Sequence, residues 1–205
     1  MTRRGMRAWA AIGVAAACGV FAGGAGAQQS TLPDRLSPSA RATIGRLLDS
    51  ARASGLPTSP LVDKAAEGVL KGADDDRIVR AVQVLARELG QARTAVGGNA
   101  DLAVLGAAAS ALHAGVSPTE LHALAFPSAG APEPGALSSA LVTLVDLVAK
   151  RVPVATATRS IRDLLERRAG EHDFVALRSE VEQDILAGRS PEASLTARAR
   201  GVTRP

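Results

Sequence analysis

Three histidines, His113, His122 and His172, are the side chains of this sequence most able to hold a metal or move a proton near neutral pH. Zinc binding or general-base work needs several such groups converging at ligand or hydrogen-bond distance. Glu120 and His122 stand two apart, so on a helix they face different ways. His113 and His122 can approach across a turn at Gly115, but that brings together only two ligands. Asp74-Asp75-Asp76 is the densest acidic run, yet the alternating ligands, the glycine and the closing glutamate of a calcium loop are missing. Acids at the start of a helix are favoured there by the helix dipole alone. Ser117 and Ser190 sit in Gly-x-Ser-Pro contexts that lack the second glycine of a nucleophile elbow, and no Ser-x-x-Lys occurs. Lys71-Gly72 reverses the order that a phosphate-binding loop requires. No catalytic, cofactor-binding or metal-binding residue is therefore assigned, and the chain is expected not to be an enzyme.

The elements around these residues are helical. Ile78, Ala81, Leu85 and Leu89 recur at helical spacing, as do Leu137, Leu141, Leu144 and Val148, and Phe174, Leu177, Val181 and Ile185. Alternating β-branched runs are absent, which predicts an all-α fold. Ser37-Pro38, Ser59-Pro60, Ser117-Pro118 and Ser190-Pro191 each pair an N-cap acceptor with a residue suited to the first helical position. Ser117 and Glu120 also fit a capping box. Gly55, Gly72, Gly115 and Gly188 follow helical patterns, where a left-handed residue ends a helix. About nine helices are predicted, near 37–54, 59–71, 74–96, 99–114, 117–126, 134–151, 154–169, 171–187 and 190–200. Most are joined by short turns into antiparallel or angled hairpins. The stretch from Pro127 to Pro134 is the one long loop, with Pro132-Glu133-Pro134 as a stiff connector. Glu67 with Lys71, and Arg162 with Glu166, lie four apart as solvated charged faces.

The first 27 residues read as an export signal. Arg3, Arg4 and Arg7 precede an apolar run from Ala8 to Phe21, and Ala25-Gly26-Ala27 offers the small residues of a cleavage site before Gln28. Two alternatives stay open. Ala8 to Ala27 is long enough to remain as a membrane anchor, and Cys18 could carry the acyl groups of a lipoprotein, although Ala15 stands where a larger aliphatic residue is usual. Membrane association is expected only in those two cases. Residues 28–36 are expected as a flexible lead-in, 37–200 as one helical domain, and 201–205 as a tail. Cys18 is the only cysteine of the chain, so the domain after the leader contains no disulfide. Its formal charge is +1, since three of the positive charges behind the whole chain's +4 are in the leader. With near-neutral charge and only Phe126 and Phe174 as aromatics, it has neither the basic footprint nor the stacking platform of a nucleic-acid binder.

Sliding the sequence by 96 residues overlays the hairpins at 56–90 and 152–186: Leu56 meets Val152, Ala65 meets Ile161, Ile78 meets Phe174, and Leu85 meets Val181. Val82 falls on Arg178 and Ala86 on Glu182, which breaks the likeness, and a weaker echo at a shift of 60 pairs Leu56 with Val116. A short α-α repeat array is the architecture this pattern suggests, and such arrays bury faces against neighbours and leave long, shallow binding surfaces. The functional expectation is an exported scaffold or protein-interaction domain of the bacterial periplasm or exterior, its partner an unknown envelope or secreted protein. Carriage of an apolar ligand or lipid in a cavity lined by Leu141, Leu144 and Phe174 is the rival, and an exported hydrolase a third reading. Arg198, Arg200 and Arg204 make the tail basic enough to touch an anionic envelope surface.

Overall fold

The computed structural model describes residues 32–133 and 135–202, so the leader with Cys18, the junction at Gln28, Pro134 and Arg204 lie outside the described residues. Nine α-helices occur among the described residues: α1 (Pro38–Ala53), α2 (Ser59–Leu70), α3 (Asp75–Val96), α4 (Leu102–His113), α5 (Pro118–Ala125), α6 (Ala136–Ala149), α7 (Val154–Glu166), α8 (Glu171–Leu186) and α9 (Pro191–Gly201). Their starts follow the capping chemistry. Ser37, Ser117 and Ser190 each accept a hydrogen bond from the amide three residues on, and the Glu120 carboxylate accepts one from the Ser117 amide to complete the capping box. Ser59 does not cap. It is the first residue of α2, preceded by Thr58 with no side-chain cap bond, so the helix begins one residue earlier than that Ser-Pro step implies. The start of α4 is later than expected, because Asp101 caps Val104 at 2.7 Å. Residues 32–36, expected as a loose lead-in, form a turn that buries Leu36, and Arg41 holds it through Asp34 and the Pro33 carbonyl.

Six helices end in one and the same turn. The residues in left-handed conformation are Gly55, Gly72, Gly115 and Gly188, as expected, but also Arg151 (φ 72°) and Arg168 (φ 61°). In each case the following amide reaches back five residues to a helix carbonyl: Leu56 to Ala51, Ala73 to Gly68, Val116 to Ala111, Val152 to Leu147, Ala169 to Leu164 and Arg189 to Asp184, all at 2.8–3.0 Å. This is the Schellman closure, which satisfies carbonyls that a helix end would otherwise leave open. The 60- and 96-residue shifts both land on it, carrying Gly55 to Gly115 and to Arg151.

Helix neighbours trace one row, α1 against α3, α3 against α4, α4 against α6 and α6 against α8, and a second in which α5 meets α7 and α7 meets α9. The short α4 is sandwiched, and its buried residues are Leu105, Ala107, Ala108, Ala109 and Ala111. Only side chains this small let three helices crowd one axis at the short end of the usual separations. Ile78, Val82, Leu89, Ala92, Ala95 and Val96 form the buried stripe of α3, with Ala81 and Leu85 only half buried. Buried partners across the 96-residue shift include Ala65 with Ile161 and Ile78 with Phe174, whereas Val82 is buried and Arg178 is a half-exposed partner of Asp146. The loop after α5 is anchored to α7, where the Glu166 carboxylate accepts from the amides of Ser128 and Ala129 at 2.8 and 3.0 Å. Those amides hold the Glu166 carboxyl below the ordinary carboxylate range. Glu166 therefore serves the loop and makes no ion pair with Arg162, while Glu67 bonds both Lys71, as expected, and Lys64.

Gly68 of α2 faces α3 so closely that an added Cβ would lie 2.7 Å from Cγ1 of the buried Ile78, whereas nothing lies within 4 Å of one at Gly45 in α1. Alanine in an open helix interior is favoured over glycine by about 1 kcal/mol. Gly45→Ala is thus expected to raise the urea midpoint, and Gly68→Ala to lower it by an overpacking cost of about 1–3 kcal/mol. Equal gains from both substitutions would contradict the close α2–α3 approach.

Candidate functional site

Two grooves lie along α3, one beside α4 and one beside α5. The first, about 540 Å³, is walled by Val84 and Leu85 of α3 and Val145 of α6, and floored by Ala109 and Ser110 of α4 and by Ala114, which caps that helix. It exists because the α4 side chains between α3 and α6 are short. Lys64 and Arg80 stand on its rim, and Glu88 and His113 lie in it. Glu88 is only 14% exposed and its Oε1 lies 3.0 Å from Nδ1 of the 74% exposed His113. A carboxylate oxygen accepts, so Nδ1 carries the proton in this contact. A carboxylate that orients an imidazole is part of an acid–base device. Ser110, one turn earlier, donates its hydroxyl to the Gly106 carbonyl at 3.0 Å, so that proton is committed to the helix backbone.

The second groove, about 620 Å³, runs between α3 and α5 past Gly90, Thr94, Ala95, Pro118 and His122. His122 donates from Nδ1 to the Ala95 carbonyl at 3.0 Å and stacks at a tilt on Phe126, ring centroids 4.8 Å apart. His113 and His122 are thereby drawn into different grooves instead of meeting across Gly115, and His172 is exposed in the first turn of α8. Among the described residues no group of three or more His, Cys, Asp or Glu is placed to hold a metal. The acidic run is spent on helix starts: Asp74 caps the Arg77 amide at 2.8 Å, and Asp75 accepts from the Ser37 amide at 3.1 Å, tying α1 to α3. Glu120 is held below the ordinary carboxylate range by the backbone and hydroxyl of Ser117.

Leu141, Leu144 and Phe174, expected around a ligand cavity, are fully buried. The two apolar grooves along α3 are lined by other residues. Glu88 and Arg80 were not singled out by sequence. The only hint at Glu88 is a charge set beside Leu89 on the inward half of an amphipathic helix, with nothing to name its partner 25 residues away. No protein-family model matches the chain, and neither a curated protein nor a solved structure matches it.

The tail arginines divide. Arg198 is captured by the buried Asp184, its Nε and one terminal nitrogen each 2.8 Å from a carboxylate oxygen, with Glu180 at 3.4 Å. Arg189 adds a weaker contact to Asp184 at 3.6 Å. Chiefly through the Arg198 hydrogen bonds, the Asp184 carboxyl is held below its ordinary value. A depressed carboxyl stabilises the fold above its unfolded-state pKa and loses that contribution as pH falls through the folded value. Asp184→Asn is therefore expected to lower the melting temperature at pH 7, with the gap to wild type closing below about pH 4, the range of a free Asp. A gap that stays constant down to pH 2 would contradict the charged latch.

Proposed function

We propose that this protein is a non-enzymatic helical scaffold of the bacterial cell envelope, exported by its leader, which binds an amphipathic helix of an envelope or secreted partner protein. The observation that carries this reading is the trough between α3, α4 and α6: an apolar channel with a floor of Ala109, Ser110 and Ala114 and a charged rim. Helix-in-groove recognition needs just this arrangement, an apolar slot that takes residues at i, i+3, i+4 and i+7 and edges that read charge. Arg80 is exposed and has no ion-pair partner among the described residues, so the bound helix is expected to carry an acid beside its apolar stripe. The recurrence of the hairpin turns supports a repeat-like framework, in which neighbouring hairpins hold the trough rigid without the trough itself being part of the core. Of the residues at 56–90, the rim and wall of the trough take Lys64, Arg80, Val84 and Leu85; the hairpin at 152–186 contributes none of its lining. Carriage of an apolar small molecule is the second reading, favoured by groove volumes of about 540 and 620 Å³, within the range of small-molecule sites.

Photo-crosslinking in cells from position 84 or 110, followed by identification of the captured peptide, tests the first reading. The expected product is one segment with an apolar helical stripe and flanking acids, lost in Ser110→Trp, which fills the floor. Arg80→Glu is expected to weaken its binding about tenfold, or about 1.4 kcal/mol. Capture only from positions outside the trough, or a stoichiometric lipid in non-denaturing mass spectra that Ser110→Trp displaces, would replace the scaffold reading.

A further inference from the structure

A cleft of about 290 Å³ between α7 and α9 differs in chemistry from both grooves along α3: Arg159 and Arg167 line one wall and Arg200 the other. None of these three guanidiniums makes an ion pair or hydrogen bond among the described residues. Arg41, Arg52, Arg77, Arg178 and Arg198, by contrast, each find a carboxylate. The one acid of the cleft, Asp163, lies one helical turn from both Arg159 and Arg167 and pairs with neither. Glu192, the one acid of α9, does not line the cleft; its Oε1 accepts from Thr156 at 2.8 Å. The cleft thus keeps a net formal charge of +2 with nothing to balance it. Ala199 and the buried Leu164 also line it, and Ser160 adds a hydroxyl with no hydrogen-bond partner among the described residues.

We propose that this cleft binds a phosphate dianion or phosphomonoester. A phosphomonoester carries about −1.5 to −2 charges at pH 7, which matches the uncompensated charge. Its oxygens suit the planar forks of arginine, which bind phosphate in paired hydrogen bonds, and the Ser160 hydroxyl can supply a further donor. A carboxylate would leave about half the charge unbalanced. The phosphate can come from solution or from a lipid headgroup, and the site stands independently of the trough beside α4. Arg198 is occupied by Asp184, so Arg200 is the arginine of α9 that takes part.

Calorimetric titration of the full domain with inorganic phosphate at pH 7.5 and low ionic strength tests the site. Saturable one-to-one binding is expected, weakened at least tenfold in Arg159→Gln and in Arg200→Gln, both exposed positions where circular dichroism can verify folding. Arg46→Gln, which removes the same charge from exposed α1, is expected to leave binding unchanged. Vesicles of phosphatidic acid in phosphatidylcholine that compete with phosphate would assign a lipid headgroup, and failure to compete would assign a soluble phosphate. Absence of saturable phosphate binding, or equal weakening by Arg46→Gln, would overturn the proposal.

Discussion

The rest of the structure depends on the thinness of α4. Its alanines allow α3 and α6 to close on it from two sides, so the two halves of the chain share one core instead of forming separate bundles. Dispersion and apolar burial are large when helices lie this close, because each backbone contributes contacts that bulky side chains would prevent. The same thinness has a consequence at the surface. Where α4 emerges between its larger neighbours it sits low, and Ser110 and Ala114 become the floor of a trough instead of the crest of a ridge. Core packing and candidate binding surface are two faces of one composition.

Around that centre the chain repeats a single local device, a helix closed by a left-handed residue; at five of the six ends the successor is an apolar residue turned toward the core, and at the sixth it is the exposed Arg189. Leu56, Val116 and Val152 follow such residues, and the latter two are buried. Backbone hydrogen bonds and apolar burial thus act at the same place, which fixes the direction in which the next helix departs. Arg151 and Arg168 show that the device tolerates a side chain, at a conformational cost of about 1–2 kcal/mol for a non-glycine residue. Carboxylates then secure the periphery: Asp184 fastens α9 through its ion pair with Arg198, and Glu166 fastens the long loop to α7 by accepting from backbone amides.

Most of the fold was legible in the sequence because caps and breakers act locally. Ser37, Ser117 and Ser190 announce helix starts, and Gly55, Gly72, Gly115 and Gly188 announce ends, each through chemistry confined to a few neighbouring residues. Failures came where the decision is tertiary or where a competing cap was overlooked. Asp101 outranks the residues after Gly97 as the start of α4, and Ser59 is drawn into α2. Nothing in the residue type marks Arg151 as left-handed, since an arginine adopts that state only when the surrounding packing demands it. The Glu88–His113 pair and the cleft of Arg159, Arg167 and Arg200 each join different helices, and helical spacing reports only what faces what along one. Spacing placed Glu166 with Arg162 on a solvated charged face and likewise gave no sign of the loop amides from which its carboxylate accepts.

Native-state hydrogen exchange tests the central role of α4 most directly. Its amides, packed between α3 and α6, should exchange only through global unfolding, at the free energy of the slowest amides in α3 and α6 and well above those of α9. Exchange from α4 through a low-energy local opening, at rates like those of the terminal helix, would contradict the idea that the two halves are built on it.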